Sequence, residues 1–431
     1  MQRSLSIFRG SRGLLGLTRT LVRFQSSAEL MDPCCDPHNP KTLTFQQISI
    51  AQHQLKIRCQ VYIKMEDTGS FKERGGRFAL MNLTDEEKKN GVFAASAGNH
   101  AQALAIHGKR LGIKVTVVMP KHAPLMKINK CKELGANVIV EGKDLSVAKK
   151  LAMNLAQKEG GKYINGYDHI DVLAGAGTIA VEILEKVPDI DAILTPCGGG
   201  GLLAGCCVAA QALSPKAKII GLVPENCVSM IKSLEAGKVT TVKTNPTLAD
   251  GLAVPTVGYN SFHNIKDLVH KVIAVKETDI AVGILRLLET EKVVTEGAGA
   301  IGVSALLAGC LPELAGKKVA CILSGGNIDS TMIGRCIEKG LAVDNRLIRV
   351  EALISDRPGA VAELAKIVAD TGSKIKAMAM ERAFHHSEAF NTQCRVIAET
   401  RGIHHALELN NTLKKRYGTD CNFFTIRGPL T

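Results

Sequence analysis

The 431-residue chain has no tryptophan, and aromatic residues make up only 4% of it. Single-stranded nucleic acids are held on aromatic platforms set beside a basic stripe, so the formal charge of +13 is not read as a nucleic-acid footprint. Five of those charges are Arg3, Arg9, Arg12, Arg19 and Arg23, in a stretch that has no acid before Glu29. The remaining excess is scattered in KK and KR pairs among acids. No apolar run reaches the roughly 18 residues of a membrane span; residues 297–311 come nearest and are rich in glycine and alanine, so no membrane segment is expected. A CxxC pair is also missing. The thirteen cysteines include the adjacent pairs Cys34 with Cys35 and Cys206 with Cys207. Cys310, Cys321 and Cys336 sit in apolar stretches, where a free thiol behaves as a small buried hydrophobe. Reduced thiols in a reducing compartment are expected, and no metal site.

What is present begins with residues 1–28, rich in arginine and serine. Leu5, Phe8, Arg9 and Arg12 recur at helical spacing, so an apolar and a basic face coexist, as in a mitochondrial transit peptide and unlike a secretory signal with its continuous apolar core. The expectation is a matrix protein whose mature form starts near residues 26–28. The alternative is a basic disordered tail on a cytoplasmic protein.

The rest has the composition of a globular protein, 45% hydrophobic and 22% charged, and its length predicts two to four domains. Between about residues 58 and 330 short apolar runs (61–65, 92–95, 114–119, 138–140, 192–194, 219–223 and 319–323) alternate with helical patterns. That rhythm predicts parallel α/β sheets with crossover helices. After Asp344 the order becomes strand, helix, two strands, helix, strand, the βαββαβ pattern of a separate ferredoxin-like domain.

Four runs carry chemistry. Gly198, Gly199, Gly200 and Gly201, followed by Leu202, lie between an apolar strand and a helix. Consecutive glycines turn backbone N–H groups toward one point, and the helix dipole adds positive potential, which makes a phosphate cradle. Read as Gly199-x-Gly201-x-x-Ala204, the same run passes as a dinucleotide fingerprint, and a structural tight turn is a third reading. Lys72, in Ser70-Phe71-Lys72-Glu73-Arg74-Gly75-Gly76, follows the strand-like run 61–65; a desolvated lysine can form a Schiff base with an aldehyde cofactor. Ser96, Ala97, Gly98, Asn99 and His100 close a strand and open a helix, where N–H groups and the Ser96 hydroxyl can hold a carboxylate. Ser324-Gly325-Gly326-Asn327 ends an apolar strand at the carboxyl edge of a sheet, where α/β proteins bind ligands.

The succession SFKERGG, SAGNHAQ, CGGGGL, EGAGA, SGGN resembles the fold-type II pyridoxal-phosphate enzymes, and specifically the threonine dehydratases, from about residue 43 to the C-terminus. The resemblance implies a tryptophan-synthase-β-like catalytic domain of two parallel-sheet lobes over residues 43–335, and an ACT regulatory domain over 345–431. It makes Lys72 the catalytic, cofactor-bearing lysine and Asn99 the partner of the cofactor's phenolic oxygen. Gly198, Gly199, Gly200, Gly201 and Leu202 would hold its phosphate, and Ser324 would face its pyridine nitrogen. Ser96, Ala97, Gly98, Asn99 and His100 would grip the substrate carboxylate, and Asp356, Arg357, Pro358 and Gly359 would form an effector loop. A neutral hydroxyl at Ser324 leaves the ring nitrogen unprotonated, a shallow electron sink suited to prompt elimination. Related serine racemases carry a serine where Ala97 stands, so a one-face lyase is favoured.

The implied activity is deamination of L-threonine to 2-oxobutyrate and ammonia, with L-serine as second substrate, in a homo-oligomer responsive to a small amino acid. The chain departs from the family pattern ahead of Lys72. About twenty residues, including a Thr-Pro-Leu segment, are missing before the VYIK run, and the stretch from Lys64 to Lys72 is short. The acid cluster of a cation site is also missing, with Glu225 and Asp250 the only candidates. Three alternatives remain: an amino-acid-sensing protein without turnover, a serine-racemase-like enzyme, and a nicotinamide oxidoreductase that would leave Lys72 and Ser324 unexplained.

Overall fold

The computed structural model describes residue 32 and residues 35–55, 67–383 and 390–426. The expected transit peptide and the expected strand 61–65 lie outside the described residues. The strands β1 (Val92–Ala95), β2 (Val115–Met119), β3 (Asn137–Val140) and β4 (Lys162–Tyr163) form one sheet in the order β3-β2-β1-β4. The strands β5 (Ala192–Pro196), β6 (Lys218–Pro224), β7 (Lys271–Val275) and β8 (Val319–Cys321) form a second in the order β7-β6-β5-β8. Every pairing in both sheets is parallel. β2 and β5 are buried along their whole length, as strands covered by helices on both faces must be. These are the two parallel-sheet lobes expected from the alternation of apolar runs and helices.

The helices start and stop on local chemistry. Thr84 and Glu87 make a reciprocal capping box, Thr84 Oγ1 accepting from the Glu87 N–H at 3.2 Å and Glu87 Oε2 from the Thr84 N–H at 3.0 Å. Asp144 caps the helix Leu145–Glu159, and Gly160 ends it in the left-handed conformation.

The helix Ile170–Lys186 is buried over most of its length and packs against two others. These two, Lys72–Met81 and Gly201–Leu213, meet it through glycines. A Cβ at Gly175 would lie 2.6 Å from the Arg74 carbonyl, and one at Gly205 would lie 2.6 Å from the Gly177 nitrogen. The helix that opens at Lys72 and the helix that opens at the glycine run are thus held on one rigid rod. A buried ion pair adds to the seam, with Arg74 Nη1 2.5 Å from Glu182 Oε1 and 3.0 Å from Thr178 Oγ1.

The C-terminal strands β9 (Leu347–Ser355), β10 (Lys374–Glu381), β11 (Asn391–Glu399) and β12 (Cys421–Phe424) form an antiparallel sheet in the order β10-β11-β9-β12. β9 buries alternate residues, Ile348, Val350, Ala352 and Ile354, against Leu364 and Val368 of the helix Ala360–Asp370 and Leu409 and Leu413 of the helix Ile403–Tyr417. The chain order βαββαβ is the ACT-like arrangement. Among the described residues no helix is long and apolar enough to cross a membrane; the run 297–311 contributes the helix Gly297–Leu307, much of it buried in the second lobe. Cys336 is buried in the same core, and Cys310 and Cys321 are half-buried free thiols.

Candidate active site

Four segments far apart in sequence meet at Lys72, the first residue of its helix. The strand-like turn before it lies against the loop after β8. Ser70 bridges to Gly325, the Phe71 N–H donates to the Ser324 carbonyl at 3.0 Å, and the Gly326 N–H donates to the Gly69 carbonyl at 3.0 Å. The EGAGA run joins through the Glu296 N–H, which donates to the Gly325 carbonyl at 3.1 Å. The loop after β1 joins through Asn99, whose Nδ2 donates to Glu296 Oε1 at 2.8 Å and whose Oδ1 accepts from Asn327 Nδ2 at 2.8 Å. Asn327 also donates to the Thr68 carbonyl at 2.7 Å, tying the site back to the lysine's own turn.

The lysine itself is desolvated. Its Nζ donates to the Gly166 carbonyl, and burial brings the amine down to about 8, against the pull of the Glu296 carboxylate. Glu296 is 6% exposed. Burial raises its carboxyl to about 7, with Asp250 adding to the rise and the Asn99 hydrogen bond, Lys127 and Lys72 opposing it. Two groups that are ordinarily far apart in acidity are thereby brought close to neutrality, the pattern that active sites produce by burial and charge pairing. His100 packs beside Gly166 and its Nε2 donates to the Ile164 carbonyl at 3.1 Å. Burial, followed by the Lys72 charge, lowers it to about 3, so it is neutral at physiological pH. Glu73, next to Lys72, accepts from the Thr68 N–H with one oxygen and meets His107 Nε2 at 2.9 Å with the other. Those bonds hold it below the usual carboxylate range despite burial.

The glycine run lies at the start of the helix Gly201–Leu213. Among the described residues no acceptor takes the N–H groups of Gly198, Gly199, Gly200, Gly201 or Leu202. Gly200 has φ +103, a conformation open to glycine, and a Cβ at Gly199 would fall 2.2 Å from the Tyr167 ring. Ser324 is 4% exposed. In the loop after β1, Ser96 Oγ accepts from the Gly98 N–H at 3.3 Å, Ala97 is half-buried, and Asn99 begins the helix Asn99–Leu111.

Residues 43–325 match the family described as "Pyridoxal-phosphate dependent enzyme". The chain belongs to this family. It is 45% identical over 333 residues to the L-threonine ammonia-lyase of Thermotoga maritima, covering 77% of this chain and 81% of that one. Among solved structures it is similar to the processed form of threonine deaminase isoform 2 from Solanum lycopersicum, with TM-score 0.61, 34% identity, and coverage of 68% of this chain and 86% of that one. It is also similar to the serine racemase of Dictyostelium discoideum, with TM-score 0.61, 32% identity, and coverage of 67% and 100%.

Pyridoxal phosphate is the cofactor of this pyridoxal-phosphate dependent enzyme, and the residues present fit it. An aldehyde needs a neutral amine, and burial brings the Lys72 amine down to about 8, where the neutral form is within reach near physiological pH. A phosphate needs unpaired N–H donors at a helix start, which the glycine run provides. Ser70 Oγ and His100 Nδ1 are buried polar atoms with no hydrogen-bond partner in the structure.

Of the predicted site residues, Asn99 and the Ser324 loop are joined by hydrogen bonds to the turn that carries Lys72, and the structure adds several that sequence reasoning passed over. Glu296 was visible only as the first letter of EGAGA, Asn327 as the last of SGGN. The loop 165–168, which holds the lysine's amine and underlies the glycine run, has no motif signal. The effector-loop residues Asp356, Arg357, Pro358 and Gly359 follow β9 of the C-terminal sheet and are not among the residues hydrogen-bonded around Lys72. Asp356 is paired there with Arg382, Nε to Oδ2 at 3.0 Å. Glu225 and Asp250 do not form a cluster: Glu225 accepts from the Glu277 N–H and Asp250 pairs with Lys127. Among the described residues no group of three or more His, Cys, Asp or Glu is placed to hold a metal.

Proposed function

We propose that the chain is an L-threonine ammonia-lyase that releases 2-oxobutyrate and ammonia, and that it also takes L-serine to pyruvate. The observation that carries this reading is the desolvated Lys72 amine set within one hydrogen-bonded cluster with Asn99, Glu296 and the Ser324 loop. The relatives named L-threonine ammonia-lyase and threonine deaminase support the substrate. Bound pyridoxal phosphate supplies an electron sink that acidifies the Cα proton of an amino acid and lets its β-hydroxyl leave.

The chain's residues divide the remaining work. Lys72 anchors the cofactor and, with an amine near neutrality, takes the Cα proton as a general base held in place. The N–H groups of Gly198, Gly199, Gly200, Gly201 and Leu202 would bind the phosphate. Ser96, Ala97, Gly98, Asn99 and His100 form the carboxylate grip at a helix start, where the dipole favours an anion. Ser324 would offer a neutral hydroxyl to the ring nitrogen, and Asn99, oriented by Glu296 and Asn327, would hold the phenolic oxygen. Ala97 has no proton to deliver to the opposite face, which favours elimination over racemisation.

The sequence signals support three further parts of the proposal. Residues 345–431 are an ACT regulatory domain binding a small amino acid near Asp356, Arg357, Pro358 and Gly359. The protein works as a homo-oligomer, and residues 1–28 direct it to the mitochondrial matrix. The deciding experiment supplies purified, cofactor-loaded protein with L-threonine and measures 2-oxobutyrate. Release that disappears in Lys72→Ala is expected. Cofactor binding without any keto acid would instead favour the sensing protein, and D-serine formed faster than pyruvate would favour the racemase.

A further inference from the structure

The loop 165–168 sits behind both ends of the cofactor site. The Gly166 carbonyl accepts from Lys72 Nζ. The Tyr167 ring lies under Gly199, and the Tyr167 carbonyl lies 2.8 Å from where a Cβ of Gly201 would be. Asp168 accepts from the N–H groups of Tyr259 and Ser261, each at 2.9 Å, at the start of the helix Tyr259–Ile265. A shift of this loop therefore moves the amine and the phosphate cradle together.

What holds the loop from outside is the N-terminal arm, which precedes the family match at residue 43. Asp32 has a side chain 6% exposed and pairs with Lys149 Nζ at 2.6 Å. The same carboxylate accepts from Asn165 Nδ2 at 2.5 Å, while Asn165 Oδ1 accepts from the Tyr167 N–H at 3.0 Å. Burial, and then the neighbouring Asp168 carboxylate, push the Cys35 thiol well up from its ordinary range. Further along, the Lys41 N–H donates to Asn260 Oδ1 at 2.6 Å, and the Leu43 N–H donates to Asn264 Oδ1 at 2.7 Å. Asn260 Nδ2 in turn donates to the Asp168 carbonyl at 2.8 Å. The Asp32–Lys149 pair ends on the helix Leu145–Glu159; the other anchors of the arm end on the loop or on the helix Tyr259–Ile265 beside it.

We propose that Asp32 is a positioning residue of the active site: through Asn165 and Lys149 it fixes the 165–168 loop and so sets the place of the Lys72 amine and of the phosphate-binding glycines. The inference rests on the reading of Lys72 as the cofactor lysine. The energetic ground is that a buried carboxylate with a cationic partner is costly to break from one side. The catalytic ground is that displacing a reacting group by about an ångström costs on the order of 100-fold in rate.

The test compares the full-length chain with Asp32→Ala, Asp32→Asn, Asp32→Glu and, as control, Asp36→Ala, an exposed arm residue whose carboxylate accepts from the His38 N–H. Three quantities are read. One is the dissociation constant for pyridoxal phosphate, a second is kcat and KM for threonine, and the third is the pH midpoint for chemical labelling of Lys72 in cofactor-free protein. Glu296 and His100 face that amine from the other elements and are unchanged throughout. Asp32→Ala is expected to weaken cofactor binding about tenfold and lower kcat at least tenfold with little change in KM. It is also expected to move the Lys72 midpoint upward as the amine leaves its buried seat. Asp32→Asn keeps an acceptor without the charge and falls between, Asp32→Glu recovers most of the loss, and Asp36→Ala matches wild type. Unchanged cofactor affinity and unchanged Lys72 midpoint in Asp32→Ala, with only a lower melting temperature, overturns the proposal. If Asp32→Ala does not fold, wild-type values for Asp32→Asn overturn it equally. Wild-type protein that carries no cofactor on Lys72 fails at the earlier step, the reading of the site.

Discussion

Glu296 offers a quantitative check on the electrostatics of the site, because its effect on stability has a sign opposite to that of most carboxylates. Its carboxyl lies at about 7 in the fold against 4.5 for the ordinary group, chiefly through burial. Below pH 4.5 the group is protonated whether the chain is folded or not, and it costs nothing. Between pH 4.5 and 7 the unfolded chain ionises while the fold resists, so stability falls as pH rises, and above pH 7 the full penalty is present. At 1.36 kcal/mol for each tenfold change in acidity, the penalty is ~3 kcal/mol, an upper figure. Glu296→Gln keeps an oxygen that can accept from Asn99 Nδ2 and removes the charge. In cofactor-free protein the variant is therefore expected to exceed wild type by about 2–3 kcal/mol at pH 8 and to equal it near pH 4, by urea unfolding at a series of pH values. The same change withdraws the negative charge that supports Lys72, so activity should fall while stability rises, the trade-off common at active sites. A difference independent of pH, or a variant less stable than wild type at pH 8, refutes the argument.

Other perturbations reach different parts of the account. Gly199→Ala places a methyl 2.2 Å from the Tyr167 ring; overpacking of ~1–3 kcal/mol predicts cofactor binding weaker by about 5- to 150-fold, read by fluorescence titration, and wild-type affinity would contradict the cradle. Arg74→Met strips the main cation from Glu182, whose side chain is 11% exposed, and should cost ~3–5 kcal/mol in urea unfolding, with Arg74→Met/Glu182→Leu recovering most of it. Ser324→Asp puts a charge opposite the ring nitrogen, and threonine deamination should fall at least tenfold while transamination products rise; an unaltered product ratio would remove Ser324 from that role.

Much of the architecture was legible because it is written in local runs. β1, β2, β5 and β6 are short continuous apolar segments between turn residues, and the C-terminal domain follows from alternation along β9 and β11. β4, with two residues, is too short to leave a pattern. The helix Ile170–Lys186 is buried over most of its length, so it has no polar stripe to mark it. In the site, Lys72, Asn99, the glycine run and Ser324 stand in runs whose residue types announce their chemistry. Glu296 does not, since its meaning depends on Asn99, 197 residues away. The loop 165–168 acts mainly through backbone carbonyls and a ring under a glycine, and the arm acts through Asp32 and two asparagines. Contacts of that kind are set by the fold and leave no periodicity to read.

The central claim is the identity of the lysine that carries the cofactor, and it is tested by reducing the pyridoxal-phosphate-loaded protein with borohydride and mapping its peptides. The pyridoxyl group should be recovered on Lys72 alone, in the peptide containing Phe71 and Glu73. Its recovery on another lysine, or its absence from every peptide of protein that had bound the cofactor, would contradict the account.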